Sequence, residues 1–587
     1  MVSRPTLSRV GYAKEGPGIF NERLRTHADN RDKAMRAKRA DIDPVVEEIS
    51  QLTQPTRTRF MPSTGRGAGN RRGRRVTSPR LLDGHGTRAS RILTNGMNSG
   101  LSSPSRPWFR LKIADSDLMD VFAVKHWLGE VETIMQGFLQ GTNFYEAAKV
   151  GYGELGLFGT EACFMESDWR RGMVSHPMTF GEYWIAEGAD RHPDSLLRYA
   201  PMTCRQIVEK FVADAFDKRV LHWDRVSPQM QSAWDAGNYE TVFDIMHLCE
   251  PNPAWDPARL DVAGKPWRCM YWDPMSDHLT RMLSVQGEVE QPFYAARWET
   301  VGGGDPWGMG PGWDALADLR ALQLNAKRLG DGTDLALRPP LVGPGRIRAR
   351  LSAGSYTAAS DVDKSQVFPL YEVPYQALDM LDRSMPRYYR KIDEAFAVDL
   401  FMAISEMDGI QPRNNQEIFS RNEEKLTQLG PVIERVNVEK LGVAIDRAFG
   451  ICSRMGLFPD PPEELQGLEL QVDYVSILAQ AQRAAGLGTL ERSLGFLGNL
   501  RGVFEDITDN VDSDAIAREY WERSGAPVSG LRDPEQVAAV RAQRAQQIAA
   551  QQARESMPAM QSGAEAARLL AETDLRGEPM LDQMLGG

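Results

Sequence analysis

Cysteine is scarce in this 587-residue chain: the five present (Cys163, Cys204, Cys249, Cys269 and Cys452) are scattered, odd in number and never at CxxC spacing. They read as reduced, mostly buried thiols in a cytosolic assembly environment, and no disulfide framework is needed. No apolar run approaches the roughly 18 residues of a membrane span, and MVSRPTLSRV carries no apolar segment after its charges, so no signal peptide is expected. There is no GxxxxGK[ST] phosphate cradle, no HExxH and no GxSxG elbow. The glycines from Gly302 to Gly312 fall out of register for a dinucleotide fingerprint and read as a turn. The eight histidines never cluster at ligand spacing, so His222, His247 and His278 read as surface or core residues. Asp361/Asp363 and Glu423/Glu424 read as solvated pairs, not metal carboxylates. Trp267, Tyr271, Trp272, Phe293, Tyr294 and Trp298 read as core packing, not base-stacking platforms. Nothing calls for a cofactor or a metal, and the chain is not built like an enzyme.

What is present is length, uneven charge and long helices. The length fits two to four domains with ample core. Net charge is −11, yet the first hundred residues carry about eleven excess positive charges, leaving about −22 on the rest. Arg57, Arg59, Arg66, Arg71, Arg72, Arg74, Arg75 and Arg80 are almost unopposed. Two readings stand: phosphate binding through counterion release, or an arm pairing with acidic surface on a neighbour. The acidic body argues against a tight, static nucleic-acid binder and suits something DNA passes without sticking.

Residues 1–55 read as helical with few apolar anchors, and 56–78 as an extended loop. A helix is expected from Thr87 to Leu101, then a strand beginning with Trp108, Phe109, Leu111 and Ile113. Two helices follow from Leu118 to Gly159, the second capped by Asn143. ACFMESD and the run 180–185 read as strands, and DSLLRYAPMTCRQIVEKF as a strand entering a helix capped at Thr203. Strand-like runs over 241–300 predict an antiparallel sheet in an α+β body.

The organising stretch runs from about Trp313 to Gly430. Asp314 is the expected N-cap of a helix carrying Leu316, Leu319, Leu322 and Leu324 on one side, which must end by Arg338 before Pro339-Pro340. Arg346, Arg348 and Arg350 alternate with Ile347, Ala349 and Leu351, a short strand with a basic face. A second helix from Pro374 to about Ile404 would run on the order of 45 Å, kinked at Pro386. Helices this long are poorly buried by one chain alone and call for neighbours. The run from Asn414 to Phe458 reads as one long helix or two broken at Gly430-Pro431. Residues 472–530 read as helical, Asp533-Pro534 opens a last helix to about Arg554, and the tail beyond it is low in complexity. The fold class expected is α+β, mostly helical.

Several phrases, in order, carry a resemblance: SSPSRPWFRL (102–111), YGELGLFGTEACFME (152–166), FGEYWIAEG (180–188), LLRYAPMTCRQIVEKF (196–211) and the run 292–328. RPPLVGPG (338–345), DEAFAVDLF (393–401), NEEKLTQLGPVIERVNVEKL (422–441) and GLFPDPP (456–462) complete it. Over about residues 20–500 the chain resembles the podovirus-type phage portal protein, or head-to-tail connector. It departs from that family at Pro412-Arg413-Asn414-Asn415, where a Thr-capped helix start is usual; Asn414 with Glu417 still supplies a cap.

The resemblance implies a portal fold in a closed ring, normally of twelve copies, at one capsid vertex of the virion, assembled in the host cytoplasm. It implies wing, stem, clip and crown regions. They map onto 1–312 (wing, with the basic arm), 313–338 (first stem helix), 339–372 (clip), 373–404 (second stem helix) and 405–415 (channel loop). A helix over 416–462 returns to the crown at 463–555, and 556–587 is a flexible tail. The implied function is a channel for packaging and ejecting double-stranded DNA, held without sequence reading. The implied partners are further copies of the chain, terminase, scaffold, major capsid protein and a tail adaptor, with no membrane. In the channel loop, Gln411, Arg413, Asn414 and Asn415 are the candidates to touch phosphates; the alternative pairs Arg413 with a neighbour's acid. In the clip, Arg346, Arg348, Arg350 and Lys364 face terminase and then the tail adaptor, or else form a salt-bridged ring between subunits. Rival classes are another virion ring such as a tail adaptor, a scaffold protein without a channel, and a nucleic-acid-processing enzyme with an unrecognised site.

Overall fold

The computed structural model describes residues 22–57, 81–113, 118, 121–168, 170–214, 219–223, 226–274, 282–302, 304–344, 352–359, 368–369, 373–406, 429–465, 470–475, 496, 514–517, 520 and 537–548. The chain divides into two compact units, Met1–Gly488 and Thr489–Gly587. Helices and strands are mixed, as the α+β reading expects.

In the first unit, helix α1 (Glu22–Arg39) has few apolar residues, and its arginines do the anchoring. Arg25 donates to the Asp273 carbonyl at 3.1 Å. Arg39 donates to the Tyr183 carbonyl at 2.5 Å and lies 4.3 Å from the Trp184 ring. Both arginines are buried, so a stretch that reads as charged surface is docked through carbonyls and aromatic faces. Helices α2 (Asp43–Thr53), α3 (His85–Leu101), α4 (Phe122–Gly141) and α5 (Phe144–Phe158) follow. Asn143 sits at the expected cap position of α5, but its side chain makes no cap bond. It instead exchanges two 2.8 Å hydrogen bonds with the Ser175 backbone. Satisfying a strand edge displaced the local cap, and the Thr142 hydroxyl accepts from the Phe144 N–H in its place.

The expected strands form antiparallel sheets. β2 (Thr160–Asp168) and β3 (Gly172–Met178) join β9 (Phe293–Arg297) in the order β9-β2-β3. β4 (Tyr183–Glu187), β5 (Pro193–Tyr199), β6 (Met246–Pro251), β7 (Trp267–Trp272) and β8 (Ser284–Glu288) form a five-stranded sheet in the order β8-β7-β6-β5-β4. Tyr271, Trp272, Phe293, Tyr294 and Trp298 are buried in it or beside it, and Trp267 packs half-buried on the same core. The aromatic set is core. Thr203 caps the short helix Cys204–Ile207 as expected, in a reciprocal capping box with Gln206.

Helix α6 (Leu316–Leu337) is the first long helix. Asp314 does not cap it: Pro311–Asp314 forms its own turn, and Ala315 takes the cap position. A small sheet follows in the order β11-β10-β12, from β10 (Leu341–Pro344), β11 (Tyr356–Ala359) and β12 (Phe368–Pro369). The single helix expected to Ile404 is in fact two, α7 (Tyr375–Ala395) and α8 (Val398–Glu406). Pro386 lies inside α7, and the two helices are separated around Ala397, whose φ is +48°. At 21 residues α7 is about 31 Å long, not 45 Å.

From residue 429 the chain is helical through Gly430 and Pro431, so no break falls there. The helix widens to a π turn over Asn437–Gly442 and continues as α9 (Val443–Arg454). Where a helix is expected from residue 472, the chain forms strand β13 (Leu470–Tyr474), antiparallel to β1 (Phe109–Ile113), with Leu111 opposite Val472. Leu470, Val472 and Tyr474 recur every second residue, and an open strand edge was there to pair with them. In the second unit, residues 537–548 are helical, and Arg541 grips Asp514 through two 2.6 Å bonds.

Candidate functional site

Two features of the first unit bear on function: the α6–α7 pair, and the ionic ties that fix the helices around it. The near end of α6 is core, with Leu319 and Leu322 fully buried. The far ends are not. Leu337 is 76% exposed, Tyr375 79% and Met380 75%. Near that end the helices run close, because a Cβ on Gly332 would meet Leu378 Cδ2 at 2.7 Å.

The root of the pair grips residues 82–85, which lead into α3. Gln323 of α6 accepts from the Leu82 N–H at 2.9 Å and donates to the Asp83 carbonyl at 2.6 Å. From α7, Tyr389 donates to the Asp83 carboxylate at 2.8 Å, and Asp393 lies 2.9 Å from His85 Nε2. The bond to Asp83 pushes the Tyr389 hydroxyl up to about 12. Lys391 and Asp318 join the two helices at 3.2 Å.

A second set of ties is buried. Lys440, in the π turn, lies 2.8 Å from Glu161 of β2, donates to the Ala148 carbonyl, and sits 3.4 Å from the Tyr152 ring centre. Both charged side chains are fully buried. A Cβ on Gly151 would overlap the Glu161 carboxylate, so glycine is what leaves room for the pair. Burial raises the Glu161 carboxyl against the pull of Lys440, and burial lowers the Lys440 ammonium. Next to it, Glu439 binds the Arg297 guanidinium at 2.5 Å, and Arg447 of α9 meets Glu288 at 2.9 Å and Glu290 at 3.1 Å. On α5, the buried Glu154 carboxyl is pushed up to about 7 by desolvation, although Arg57 pairs with it at 2.8 Å. These ties fasten the helix that follows residue 428 to both sheets. Their chemistry is structural: pairing, not proton transfer.

The residues singled out from sequence, Arg346, Arg348, Arg350, Lys364, Gln411, Arg413, Asn414 and Asn415, all lie outside the described residues, as do His278, Asp361/Asp363 and Glu423/Glu424. What the structure places are their flanks: β10 (Leu341–Pro344) on one side, and α8 (Val398–Glu406) with the helical residues from 429 on the other. The buried ties were missed. Their partners are 142 and 279 residues apart in sequence, and no local pattern announces such pairs. His247 is a core histidine, as read from the sequence, and it lies beside Cys249 and Cys269 in the core. All five cysteines are free and buried. Among the described residues, no helix is long and apolar enough to cross a membrane.

The family model for the bacteriophage head to tail connecting protein matches residues 25–531, so the chain belongs to that family. The portal protein of Salmonella phage epsilon15 is 34% identical over 531 residues, covering 90% of this chain and 91% of that one. The probable portal protein of Bordetella phage BPP-1 is 33% identical over 533 residues, covering 90% and 92%. One solved structure, "Neck of empty GTA particle computed with C6 symmetry", overlaps at a TM-score of 0.32 and 12% identity, over 71% of this chain and 86% of that one; a score this low carries no argument. The chain is a head-to-tail connector of the phage portal type, a structural component of the virion.

Proposed function

We propose that this connector closes into a ring, with twelve copies the number the family resemblance implies, around a channel that double-stranded DNA crosses during packaging and ejection. The observation that carries the reading is the end-to-end match to portal proteins over 90% of the chain. In this reading α6 and α7 are the stem, residues 339–372 the clip and residues 405–415 the channel loop. The strands and helices before residue 313 form the wing. Residues 463–555 form the crown, and β13, near its start, pairs with β1 of the wing. The uncovered Leu337, Tyr375 and Met380 support the stem assignment, since neighbouring copies would cover them.

In the channel loop, Arg413 with Gln411, Asn414 and Asn415 touches phosphates without reading sequence. In the clip, Arg346, Arg348, Arg350 and Lys364 face terminase during packaging and the tail adaptor afterwards. Scaffold and major capsid protein contact the ring during assembly in the host cytoplasm. The chain catalyses no reaction of its own. The test is the native mass of the wild type against Leu337→Asp and Tyr375→Asp. The wild type is expected as a ring, and each variant as smaller species with unchanged circular dichroism. Variants that assemble as well as the wild type would remove these residues from the subunit contact.

A further inference from the structure

Cys249 and Cys269 face each other across the paired strands β6 and β7, with their sulfurs 2.8 Å apart. That is outside a covalent S–S bond but inside ordinary sulfur–sulfur contact. The register settles whether a bond can form. The Asn252 N–H donates to the Pro266 carbonyl, so that opposed pair is hydrogen-bonded. Pairs alternate along an antiparallel ladder, and three steps on, Cys249 and Cys269 form a non-hydrogen-bonded pair. Such pairs hold their Cα atoms at about 4.5 Å, within the span a disulfide bridges.

The surroundings favour this over an ion site. Arg198 Nε donates to His247 Nδ1 at 2.7 Å, and a guanidinium has no acceptor. The neutral imidazole therefore carries its proton on Nε2, which faces the Cys249 sulfur at 3.2 Å. A protonated Nε2 cannot ligate a metal, and the Arg198 cation stands beside it.

We propose that Cys249 and Cys269 are an oxidation-responsive staple: an open dithiol under reducing conditions that closes to a cross-strand disulfide with a thiol oxidant. With a diazenedicarboxamide such as diamide, the Cys249 sulfur adds to the N=N bond as its proton passes to nitrogen, and the Cys269 sulfur then displaces the hydrazine nitrogen from the Cys249 sulfur. One S–S bond forms, two S–H bonds are lost, and both hydrogens end on the reduced hydrazine. The bond would link the two central strands 20 residues apart in sequence and remove freedom from the unfolded chain. This staple is independent of the ring reading above.

The test treats the purified full-length chain with diamide, blocks remaining thiols under denaturing conditions, and maps the peptides without reduction. The expected result is a Cys249–Cys269 linked peptide lighter by two hydrogens, with Cys163, Cys204 and Cys452 still alkylated. The thermal midpoint should rise by a few degrees and fall back on reduction. Cys249→Ser should lose both the link and the shift. Full alkylation of Cys249 and Cys269 after diamide, with the other three unchanged, would overturn the proposal. So would one zinc ion per chain in the untreated protein that Cys249→Ser abolishes.

Discussion

The Tyr389 hydroxyl donates to an Asp83 carboxylate oxygen at 2.8 Å, tying the second long helix to residues that precede α3. His85 lies tilted against the same ring, 4.4 Å between centroids, and reaches Asp393 one turn further along α7. The helix pair is thus held at its root by one short segment and left uncovered at its far end.

Tyr389→Phe removes one hydrogen bond to a charged acceptor and keeps the ring. The expected cost is about 1–2 kcal/mol. Hydrogen exchange should show it locally, as faster exchange at residues 82–86 and over the first turns of α3. Unchanged exchange there would mean that Gln323 and His85 hold the segment without it.

Lys440→Met leaves the Glu161 carboxylate buried without its cation. Removing one member of a buried pair costs about 3–5 kcal/mol. The double variant Lys440→Met/Glu161→Gln should recover much of that loss, because no unpaired charge then remains. Chemical denaturation of both variants checks the difference, and a double variant no better than the single would contradict it.

Glu154 gives a pH signature with a definite sign. Its carboxyl is raised from 4.5 to about 7, first by burial, with Arg57 and the Phe180 N–H opposing and Glu182 adding to the rise. The folded chain holds this proton where the unfolded chain has lost it. The stability it gives is full below pH 4.5 and falls away as pH rises through about 7, by roughly 3 kcal/mol in all. Glu154→Gln should flatten that decline. Unfolding midpoints between about pH 5 and about pH 8 measure it, and parallel wild-type and variant curves would count against the assignment.

Much of the fold was legible because it is local. Leucines at three-to-four spacing and Pro339-Pro340 marked α6, and Thr203 with Gln206 marked a helix start. What was not legible depends on partners distant in sequence. Asn143 had a better use on Ser175 than at its own helix end, and β13 needed β1 to become a strand. Lys440 looks like a surface lysine until Glu161 is placed beside it. The break at Ala397 has no glycine or proline to announce it; a left-handed alanine is held by packing of the buried Phe396, Val398 and Leu400 on either side. Of the candidate site, the sequence supplied the family through phrases spread along the chain, and the match over residues 25–531 agrees. The loop and clip arginines remain proposals, since they lie outside the described residues.

The central claim is that the chain closes into a ring with a channel on its axis. Negative-stain imaging of the purified full-length protein, paired with its native mass, tests this most directly. The account predicts closed rings of about twelve copies with an axial hole, joined through the α6–α7 surface. A compact dimer with no hole, especially one that cleaves DNA or hydrolyses ATP, would contradict it.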